Sequence, residues 1–366
     1  MSAATWRTVL DGARAARAHA VVDEIVERLV VAPPTAPGLV DAAGRALLFA
    51  RLDREEAAEG QLEFALASSE LDGPGLFTGL AGVAFALARL GGEVDEAVDD
   101  ALGVALRPTD HHDLVFGVSG VGVYALARMP GSASLLGRVV AWLNERAMRA
   151  TSGRYLFSAP DALGPIARER SPQGAIDLGV AHGQLGAIAV AAGAAAWDVP
   201  DARELYEDIV AYMWSQASER GPAFRTIVGS SATRAAWCYG DPGVAAVLFA
   251  AADAVGDDET KLRALQLARA AARRVAVDEV AEANLCHGAV GLAHLFNRLA
   301  QAAGDDELAA AARAWYDRAL ALPLPVGLDL LEGQLGIALA LAAAISDDPP
   351  DWDRALAVSL AQDRLV

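Results

Sequence analysis

The sequence predicts an all-α protein built from seven helix pairs in two concentric layers, and three observations support this fold class. First, a Gly-x-x-Gly turn followed by an apolar, alanine-rich helix recurs six times, and a seventh copy is degenerate. Second, amphipathic segments with charges on one face at helical spacing lie between the apolar helices. Third, hydrophobic residues make up 54% of the chain and aromatic residues only 6%, so the core consists largely of Ala, Leu and Val, a composition that favours closely packed helices over a β-sandwich.

The repeated turns define the inner helices of this fold. The six regular copies have their first glycine at Gly79, Gly117, Gly183, Gly240, Gly288 and Gly333. In the degenerate copy, "DAAGRALLFARL", Gly44 matches the second glycine and Asp41 replaces the first. Stacked helix pairs form either an open solenoid or a closed ring. Seven copies in one chain favour a closed α/α toroid, which we expect to occupy residues 1–366 as a single domain.

The glycines predict a crowded rim at one end of the toroid. Small residues let inner helices approach each other, and each turn needs backbone freedom. In a toroid every inner helix begins at the same end, so the residues that precede the turns converge on one rim. Helix N-termini carry partial positive charge, so we expect this rim to favour anions such as a thiolate or an enolate.

Charge and motif content argue against several function classes. The formal net charge of −18 disfavours binding to nucleic acid or to anionic membrane surfaces, whereas a cationic peptide is an acceptable partner. Lys261 is the only lysine and the sequence has no GxxxxGK loop, which argues against nucleotide hydrolysis and pyridoxal chemistry. The first residues are charged where an export signal is apolar, and the uncharged stretch at residues 178–197 is interpreted as a buried helix. We therefore expect a cytoplasmic protein without a membrane span.

Both cysteines of the chain occupy the same position of neighbouring repeats. Cys238 and Cys286 each lie two residues before the first glycine of a turn, and His287 follows Cys286 directly. Two thiolates and an imidazole on adjoining turns supply three ligands for a tetrahedral zinc ion and leave the fourth position open, as in catalytic zinc sites. The alternative is that the cysteines are small buried hydrophobic residues. The shared register favours zinc.

Four motifs together resemble the signature of the lanthionine synthetase C (LanC) family. They are "DLVFGVSG" from Asp113, "LGVAHGQLG" from Leu178, "RAAWCYGDPGVA" from Arg234 and "NLCHGAVGLAHLF" from Asn284. The similarity covers essentially the whole chain, because all seven repeats take part. It implies an α/α toroid whose zinc ion is held by residues that correspond to Cys238, Cys286 and His287.

The resemblance also implies chemical roles around the zinc. His182 corresponds to a proton-transfer residue, and Asp113 to the carboxylate that orients it or pairs with its charge. Arg234 corresponds to an arginine that stabilises enolate charge, and Tyr239 to a hydrogen-bond donor near the zinc. Structural interpretations stay open for all four: a buried, hydrogen-bonded histidine, an N-terminal helix cap, a solvated loop charge and a packed aromatic ring, respectively.

Other polar residues near the motifs are interpreted as structural. Glu332 lies at the rim and is expected to cap its helix. His111 and His112 are expected in a solvated turn. His294 lies about two helical turns beyond His287, too far to share its metal, and is expected to pack in the core.

The resemblance implies a stand-alone, zinc-dependent lanthipeptide cyclase. Such an enzyme adds peptide cysteine thiolates to dehydroalanine or dehydrobutyrine, a Michael-type reaction that forms (methyl)lanthionine thioether rings. The implied partners are a dehydrated precursor peptide and a dehydratase. The stretch at residues 151–176, rich in Pro, Gly and Arg, is expected to be either a lid over the rim or disordered.

Three other functions are compatible with a helical toroid. An enzyme of the same fold can add glutathione to dehydroamino acids with the same zinc chemistry. A non-catalytic helical-repeat scaffold can bind peptides. A toroid like the β-subunit of prenyltransferases also uses zinc, but its lipid pocket is lined by aromatic residues, which are few near the rim motifs of this chain.

Overall fold

The computed structural model describes residues 6–68, 73–106, 111–231 and 233–360. In this part of the chain the α-helices are α1 (Gly12–Val31), α2 (Ala42–Arg51), α3 (Glu55–Ala67), α4 (Leu80–Arg89), α5 (Glu96–Ala105), α6 (Val118–Ala127), α7 (Ala133–Arg146), α8 (Pro165–Arg170), α9 (Gln184–Ala196), α10 (Ala202–Ser215), α11 (Asp241–Val255), α12 (Asp258–Arg274), α13 (Ala289–Ala303), α14 (Asp306–Ala321) and α15 (Gln334–Ala344). Short 3-10 turns span Pro160–Ala162, Val277–Glu279 and Asp351–Leu356. One antiparallel hairpin pairs β1 (Met148–Ala150) with β2 (Gly153–Tyr155).

Seven of these helices form a closed inner ring, which confirms the predicted all-α toroid. They are α2, α4, α6, α9, α11, α13 and α15, and each contacts the next, with α15 returning to α2. The inner helices are predominantly apolar because most of their surface is buried. In α9, for example, Ala196 alone of the 13 residues is not buried.

Amphipathic helices form the outer layer. Helices α3, α5, α7, α10, α12 and α14 each pack on the inner helix that precedes them, and α1 packs on α15. The buried residues of α1 include Val22, Val26 and Leu29, which lie on one face at helical spacing. The N-terminal helix therefore completes the seventh pair. Of the helices in the described residues, none combines the length and the hydropathy needed to cross a membrane.

The degenerate first repeat lies where the ring closes. Asp41, which replaces a turn glycine, is buried and forms an ion pair with Arg45 of α2. Its carboxylate also accepts hydrogen bonds from the backbone N–H and the hydroxyl of Thr35, at 2.5 and 2.8 Å. Arg45 donates to the carbonyl oxygens of Leu29 and Ala32 at the end of α1. The exchange of glycine for aspartate thus ties the first inner helix to the outer helix that closes the ring.

Backbone hydrogen bonds run once around the rim and join the turns that precede the inner helices. Seven N–H groups each donate to a carbonyl oxygen of the neighbouring turn, at 2.8–3.3 Å. The pairs, donor first, are Val40–Phe77, Phe77–Val115, Leu114–Ala181, Val180–Cys238, Trp237–Cys286, Cys286–Leu331 and Leu330–Val40. Because the last turn returns to the first, these bonds fix all seven turns relative to one another. We call this set of bonds the rim ring.

Residues 351–358 fill the centre of the toroid. The turn Asp351–Leu356 contacts α4 and α6, and the indole N–H of Trp237 donates to the carbonyl oxygen of Leu356 at 3.0 Å. On the opposite side of the toroid, Nε2 of the fully buried His294 lies 2.8 Å from Asp353. His294 is therefore a core residue, as the sequence predicts.

The second glycine of most turns lies against a carbonyl oxygen that a side chain would displace. A Cβ built at Gly82, Gly120, Gly243, Gly291 or Gly336 comes within 1.9–2.4 Å of the carbonyl oxygen six residues earlier. Real Cβ atoms do not approach an oxygen this closely, so any larger residue would force the backbone to shift where the chain folds back over the start of its helix. The second glycine is thus required for a steric reason, but its tightest contact lies between a helix and its own preceding turn and not between neighbouring inner helices.

We predict that Gly336→Ala lowers the free energy of unfolding by about 1–3 kcal/mol, because its Cβ would lie 2.0 Å from the carbonyl oxygen of Leu330. Gly60→Ala is the matched control. Gly60 lies on the exposed face of α3 with no atom within 4 Å of an added Cβ, so the substitution should stabilise the helix by about 0.5–1 kcal/mol. Urea unfolding measures both. Equal effects of the two variants would contradict the steric explanation.

Candidate metal centre and active-site cavity

Cys238, Cys286 and His287 meet at the rim. Their ligand atoms, two sulfurs and one imidazole nitrogen, all lie within 4.8 Å of one another. Both cysteine residues are buried, and His287 is partly exposed. The rim ring holds the two turns together, because the N–H groups of Trp237 and Cys238 both point at the carbonyl oxygen of Cys286, at 3.0 and 3.4 Å. The two cysteines that share a position in neighbouring repeats are therefore also close together in space.

Neighbours outside the cluster orient the imidazole of His287. Its Nε2 lies 2.7 Å from a carboxylate oxygen of Glu282 and 3.3 Å from the amide nitrogen of Asn284. The backbone N–H of His287 donates to Oδ1 of Asn284 at 2.9 Å. These contacts leave Nδ1 for a metal, and a carboxylate behind the imidazole is the common partner of a zinc-bound histidine. Two sulfurs and one nitrogen are donor types that zinc accepts, so the residues fit a zinc ion with one open position.

A hydrogen bond links the two thiols and moves their pKa values in opposite directions. The hydrogen bond from Cys286 lowers the pKa of Cys238 to about 5, and the His287 contact and the charge of Arg234 act in the same direction against burial. The same hydrogen bond, together with burial, raises the pKa of Cys286 far above its ordinary value. Arg234 is exposed, and its positive charge acts on both thiols and on His287. The cluster thus stabilises one thiolate, the form of cysteine that binds metal.

His182 and Asp113 form a pair on the turns before α9 and α6. Nδ1 of His182 lies 3.2 Å from Oδ2 of Asp113. The other carboxylate oxygen, Oδ1, accepts the backbone N–H groups of Phe116 and Gly117 at 2.6 and 3.0 Å. Asp113 does not cap α6, because the N-cap of that helix is Gly117 and no side chain bonds there. One carboxylate oxygen instead holds the preceding turn, and the other pairs with His182. With Nδ1 engaged, Nε2 of His182 is the nitrogen available to a substrate.

The electrostatics of this pair favour the imidazolium–carboxylate state. Burial lowers the pKa of His182, but the hydrogen bond and the charge of Asp113 outweigh it and raise the pKa above its ordinary value. Burial raises the pKa of Asp113, but His182 and the backbone N–H of Phe116 outweigh it in the opposite direction. The ring of Phe116 stacks on the imidazole, with centroids 6.0 Å apart and planes 14° apart. Sequence reasoning missed this aromatic contact, although Phe116 lies directly before a repeat glycine.

Tyr239 donates its hydroxyl hydrogen to a buried carboxylate. The hydroxyl oxygen lies 2.7 Å from Oδ2 of Asp177, and Oδ1 of Asp177 accepts the backbone N–H of Gly179 at 2.7 Å. Burial raises the pKa of Asp177 to about 6, although both hydrogen bonds lower it. Burial and the charge of Asp177 raise the pKa of Tyr239 above its ordinary value. No sequence pattern indicates Asp177, because it lies six residues before the repeat glycine Gly183 and outside the motif "LGVAHGQLG".

A cavity of about 580 Å³ adjoins the cluster. Its lining includes both carboxylate pairs, His182 with Asp113 and Tyr239 with Asp177. Ser158, Ala162, Leu163 and Gly164 line it from the segment at residues 151–176. Glu332 also lines the cavity, and its carboxylate lies 3.9 Å from Nδ1 of His287. Cys238, Cys286 and His287 do not line this cavity themselves, but Glu332 and Tyr239 connect its wall to the cluster.

Two sequence-level expectations about the rim are wrong. His112 does not lie in a solvated turn: it is 3% exposed, because the rim ring draws its turn into the protein. Burial lowers the pKa of His112 to about 4, so it is neutral at pH 7. Glu332 does not cap its helix, because the N-cap of α15 is Gly333 and no side chain bonds there. Its carboxylate instead faces the cavity.

The closed ring of helix pairs and the thiol–imidazole cluster define a helical toroid with a candidate metal centre at one rim. The chain belongs to the lanthionine synthetase C-like protein family, whose model matches residues 55–357. Among solved structures, it is similar to a nisin cyclase, with a TM-score of 0.74 and 18% sequence identity over 94% of this chain and 97% of that one. No curated protein sequence matches it significantly.

We predict that Asp113→Asn lowers the pKa of His182, because it removes the charge and weakens the hydrogen bond that oppose burial. Asparagine keeps an acceptor for the turn N–H groups. Asp329→Asn is the matched control, since Asp329 accepts two turn N–H groups in the same way and does not act on His182. Histidine NMR titration measures both. An unchanged His182 pKa in Asp113→Asn would contradict the assigned pairing.

We also predict that His112 makes the fold acid-labile. Its folded pKa of about 4 lies below the unfolded value of 6.5, so the unfolded chain binds the extra proton as pH falls from 6.5 to 4. Stability is lost in that window, by roughly 3 kcal/mol for this group. His112→Gln should therefore show a shallower decrease in unfolding free energy between pH 6.5 and 4. His19→Asn, on the exposed face of α1, should keep the wild-type slope. Identical slopes for all three proteins would contradict the prediction.

Proposed function

We propose that this chain is a zinc-dependent lanthipeptide cyclase. It joins cysteine thiols of a dehydrated precursor peptide to dehydroalanine or dehydrobutyrine and so forms (methyl)lanthionine rings. Membership of the LanC-like family supports the reaction class, as does the similarity to a structure named for cyclase activity. The observation that carries the proposal is the Cys238–Cys286–His287 cluster beside a cavity lined by the His182–Asp113 pair.

Zinc fits the donor set, and the three residues of the cluster would hold it. A zinc ion bound there supplies Lewis acidity, which favours the thiolate form of a substrate thiol at neutral pH. Glu282 and Asn284 hold the His287 ring in the orientation that a ligand needs. Arg234 brings a positive charge close to both sulfurs. That charge also favours an anionic substrate group at the same place.

The addition needs a proton at a defined atom. A new S–C bond forms at the β-carbon of the dehydroamino acid, the thiol loses its proton, and the α-carbon gains one. His182 is suited to supply that proton, because Asp113 orients its ring and favours its charged form, with Nε2 free. Arg234 and the helix N-termini at the rim are suited to stabilise the enolate that precedes protonation. Atoms balance without a cofactor other than the metal, and the peptide mass does not change.

The segment at residues 151–176 is proposed to act as a lid over the cavity. It contains β2, a 3-10 turn and α8, and it supplies Leu163 and Gly164 to the cavity wall. The side chain of Gln184, in the first turn of α9, bonds both the N–H and the carbonyl oxygen of Leu156 at 2.8 Å and so anchors the start of the segment to the rim. A peptide substrate would contact this segment first. The acidic chain suits a cationic precursor, and a dehydratase must supply the dehydroamino acids.

The proposal is tested by incubating the purified protein with a dehydrated precursor peptide and then with a thiol alkylator. Cyclisation leaves the peptide mass unchanged but removes alkylatable thiols, which mass spectrometry counts. We expect His182→Asn to slow thiol loss about 10²–10⁴-fold, the range for removal of a general acid or base. His19→Asn on the outer surface is the matched control and should retain full activity.

The same assay tests the metal and the competing substrate. Elemental analysis should find zinc in the wild-type protein, and Cys238→Ala should lose both zinc and activity, because only two of the three cluster ligands remain. A parallel reaction supplies glutathione and a dehydrated peptide without cysteine; a mass increase there would identify the glutathione-adding alternative. Unaltered thiol counts with several authentic precursors would contradict the cyclase proposal. Full biological activity of Cys238→Ala would support the scaffold alternative.

A further inference from the structure

Residues 177–180 pack directly on the turn that carries Cys238. Within the rim ring, the N–H of Val180 donates to the carbonyl oxygen of Cys238 at 2.9 Å. A Cβ built at Gly179 would lie 2.5 Å from the ring of Tyr239 and 2.6 Å from the same carbonyl oxygen. The Tyr239 hydroxyl reaches back to Asp177 at 2.7 Å. Two hydrogen bonds and one close backbone contact therefore clamp this segment to the neighbouring turn.

Both carboxylate oxygens of Asp177 accept a hydrogen bond at this clamp. Asp177 is 3% exposed, and its two oxygens accept one hydrogen bond each, from Gly179 N–H and from the Tyr239 hydroxyl. The backbone carbonyl of Asp177 accepts the N–H and the side-chain amide of Gln184, at 3.2 and 3.1 Å. Asp177 is thus fixed to α9 on one side and to Tyr239 on the other.

The direction of the Tyr239 hydrogen bond limits what this residue can do. A carboxylate accepts hydrogen bonds and does not donate them, so the phenol must be the donor. Its only hydrogen is then committed to Asp177, and only lone pairs remain to face the cavity that Tyr239 lines. Tyr239 is therefore suited to accept a hydrogen bond from a substrate, such as a peptide N–H, and not to donate one to a substrate anion.

We propose that Asp177 is a positioning residue that acts through Tyr239. Asp177 orients the phenol of Tyr239 as a hydrogen-bond acceptor for the peptide substrate. It also fixes the position of the Cys238 turn relative to the neighbouring turn, which carries His182 a few residues after Asp177. The part of this proposal that concerns the peptide substrate rests on the proposed cyclase function. The registration of Cys238, in contrast, is a property of the metal site and is measurable without turnover.

The chain contains a matched control for this pair. The hydroxyl of Tyr206 donates to Oδ2 of Asp257 at 2.9 Å, and Oδ1 of Asp257 accepts the N–H of Thr260 at 3.0 Å. As in the Tyr239–Asp177 pair, one phenol and one backbone N–H bond the carboxylate, although Asp257 also contacts the Thr260 side chain and the Glu259 backbone and is only partly buried. This pair joins outer helix α10 to the start of α12, at the end of α11 opposite the rim. A merely structural role of the Tyr–Asp contact would appear equally in both pairs.

The test is a double-mutant cycle with Asp177→Asn, Tyr239→Phe and the double variant, beside Asp257→Asn, Tyr206→Phe and their double variant. The first readout is Zn²⁺ affinity, measured by competition with a chromophoric chelator. We expect Asp177→Asn to weaken Zn²⁺ binding about 10–100-fold, the range for loss of a partner that orients a ligand. In a protein that already carries Tyr239→Phe, the same substitution should weaken Zn²⁺ binding little further. Gly179→Ala should weaken Zn²⁺ binding as well, whereas Gly137→Ala, with no atom within 4 Å of its Cβ, should not.

The second readout is kcat and KM for cyclisation. Asp177→Asn and Tyr239→Phe should each lower kcat/KM about tenfold or more and be non-additive together. The Asp257 and Tyr206 variants should lower Tm but leave both readouts within about twofold of wild type. Effects of Asp177→Asn that are additive with Tyr239→Phe, or equal to those of Asp257→Asn, would overturn the positioning role. If the wild-type protein has no cyclase activity but the variants change Zn²⁺ affinity as expected, the proposed function is refuted, whereas the role of Asp177 in positioning the Cys238 turn stands.

Discussion

The rim ring is the constraint on which the functional end of the molecule depends. The turns before the inner helices are buried, and a buried N–H or carbonyl group without a partner costs about 1–3 kcal/mol. In the toroid the backbone of each turn forms a hydrogen bond with the next turn, and the last turn forms one with the first. The second glycines make this possible, because they let the chain fold closely over the start of each helix. Cys238 and Cys286 lie on consecutive links, so the closure of the fold also sets the distance between their sulfurs.

Charge at this rim is divided between two buried carboxylates with different neighbours. Asp113 faces an imidazole that can carry positive charge, and its pKa is lowered despite burial. Asp177 faces a neutral phenol, and burial raises its pKa to about 6. Two similar side chains on the same cavity wall thus acquire different pKa values from their surroundings. Asp113 favours a proton on His182, whereas Asp177 withholds the proton of Tyr239 from the cavity.

Much of the fold and part of the site could be predicted from local patterns. The inner helices were recognisable because each carries its own glycine signal and apolar sequence, and the shared register of Cys238 and Cys286 pointed to a cluster. The pairing of Asp113 with His182 followed only from the family resemblance, since the two residues are far apart in the chain. His112 and Glu332 were misinterpreted for the same physical reason. Whether a polar residue beside a turn meets solvent, a helix end or a cavity depends on elements from distant repeats.

By itself, the sequence determined the helical repeat, the two layers and the thiol and imidazole residues of the candidate metal cluster, because periodicity and residue type act over a few neighbouring positions. Only the tertiary structure decided that the ring closes through α1 and the Asp41–Arg45 pair, that Phe116 stacks on His182 and that Asp177 binds Tyr239. These contacts join residues on different turns. Their geometry exists only after seven helix pairs have packed into a circle, since the circle alone brings those turns within hydrogen-bonding distance.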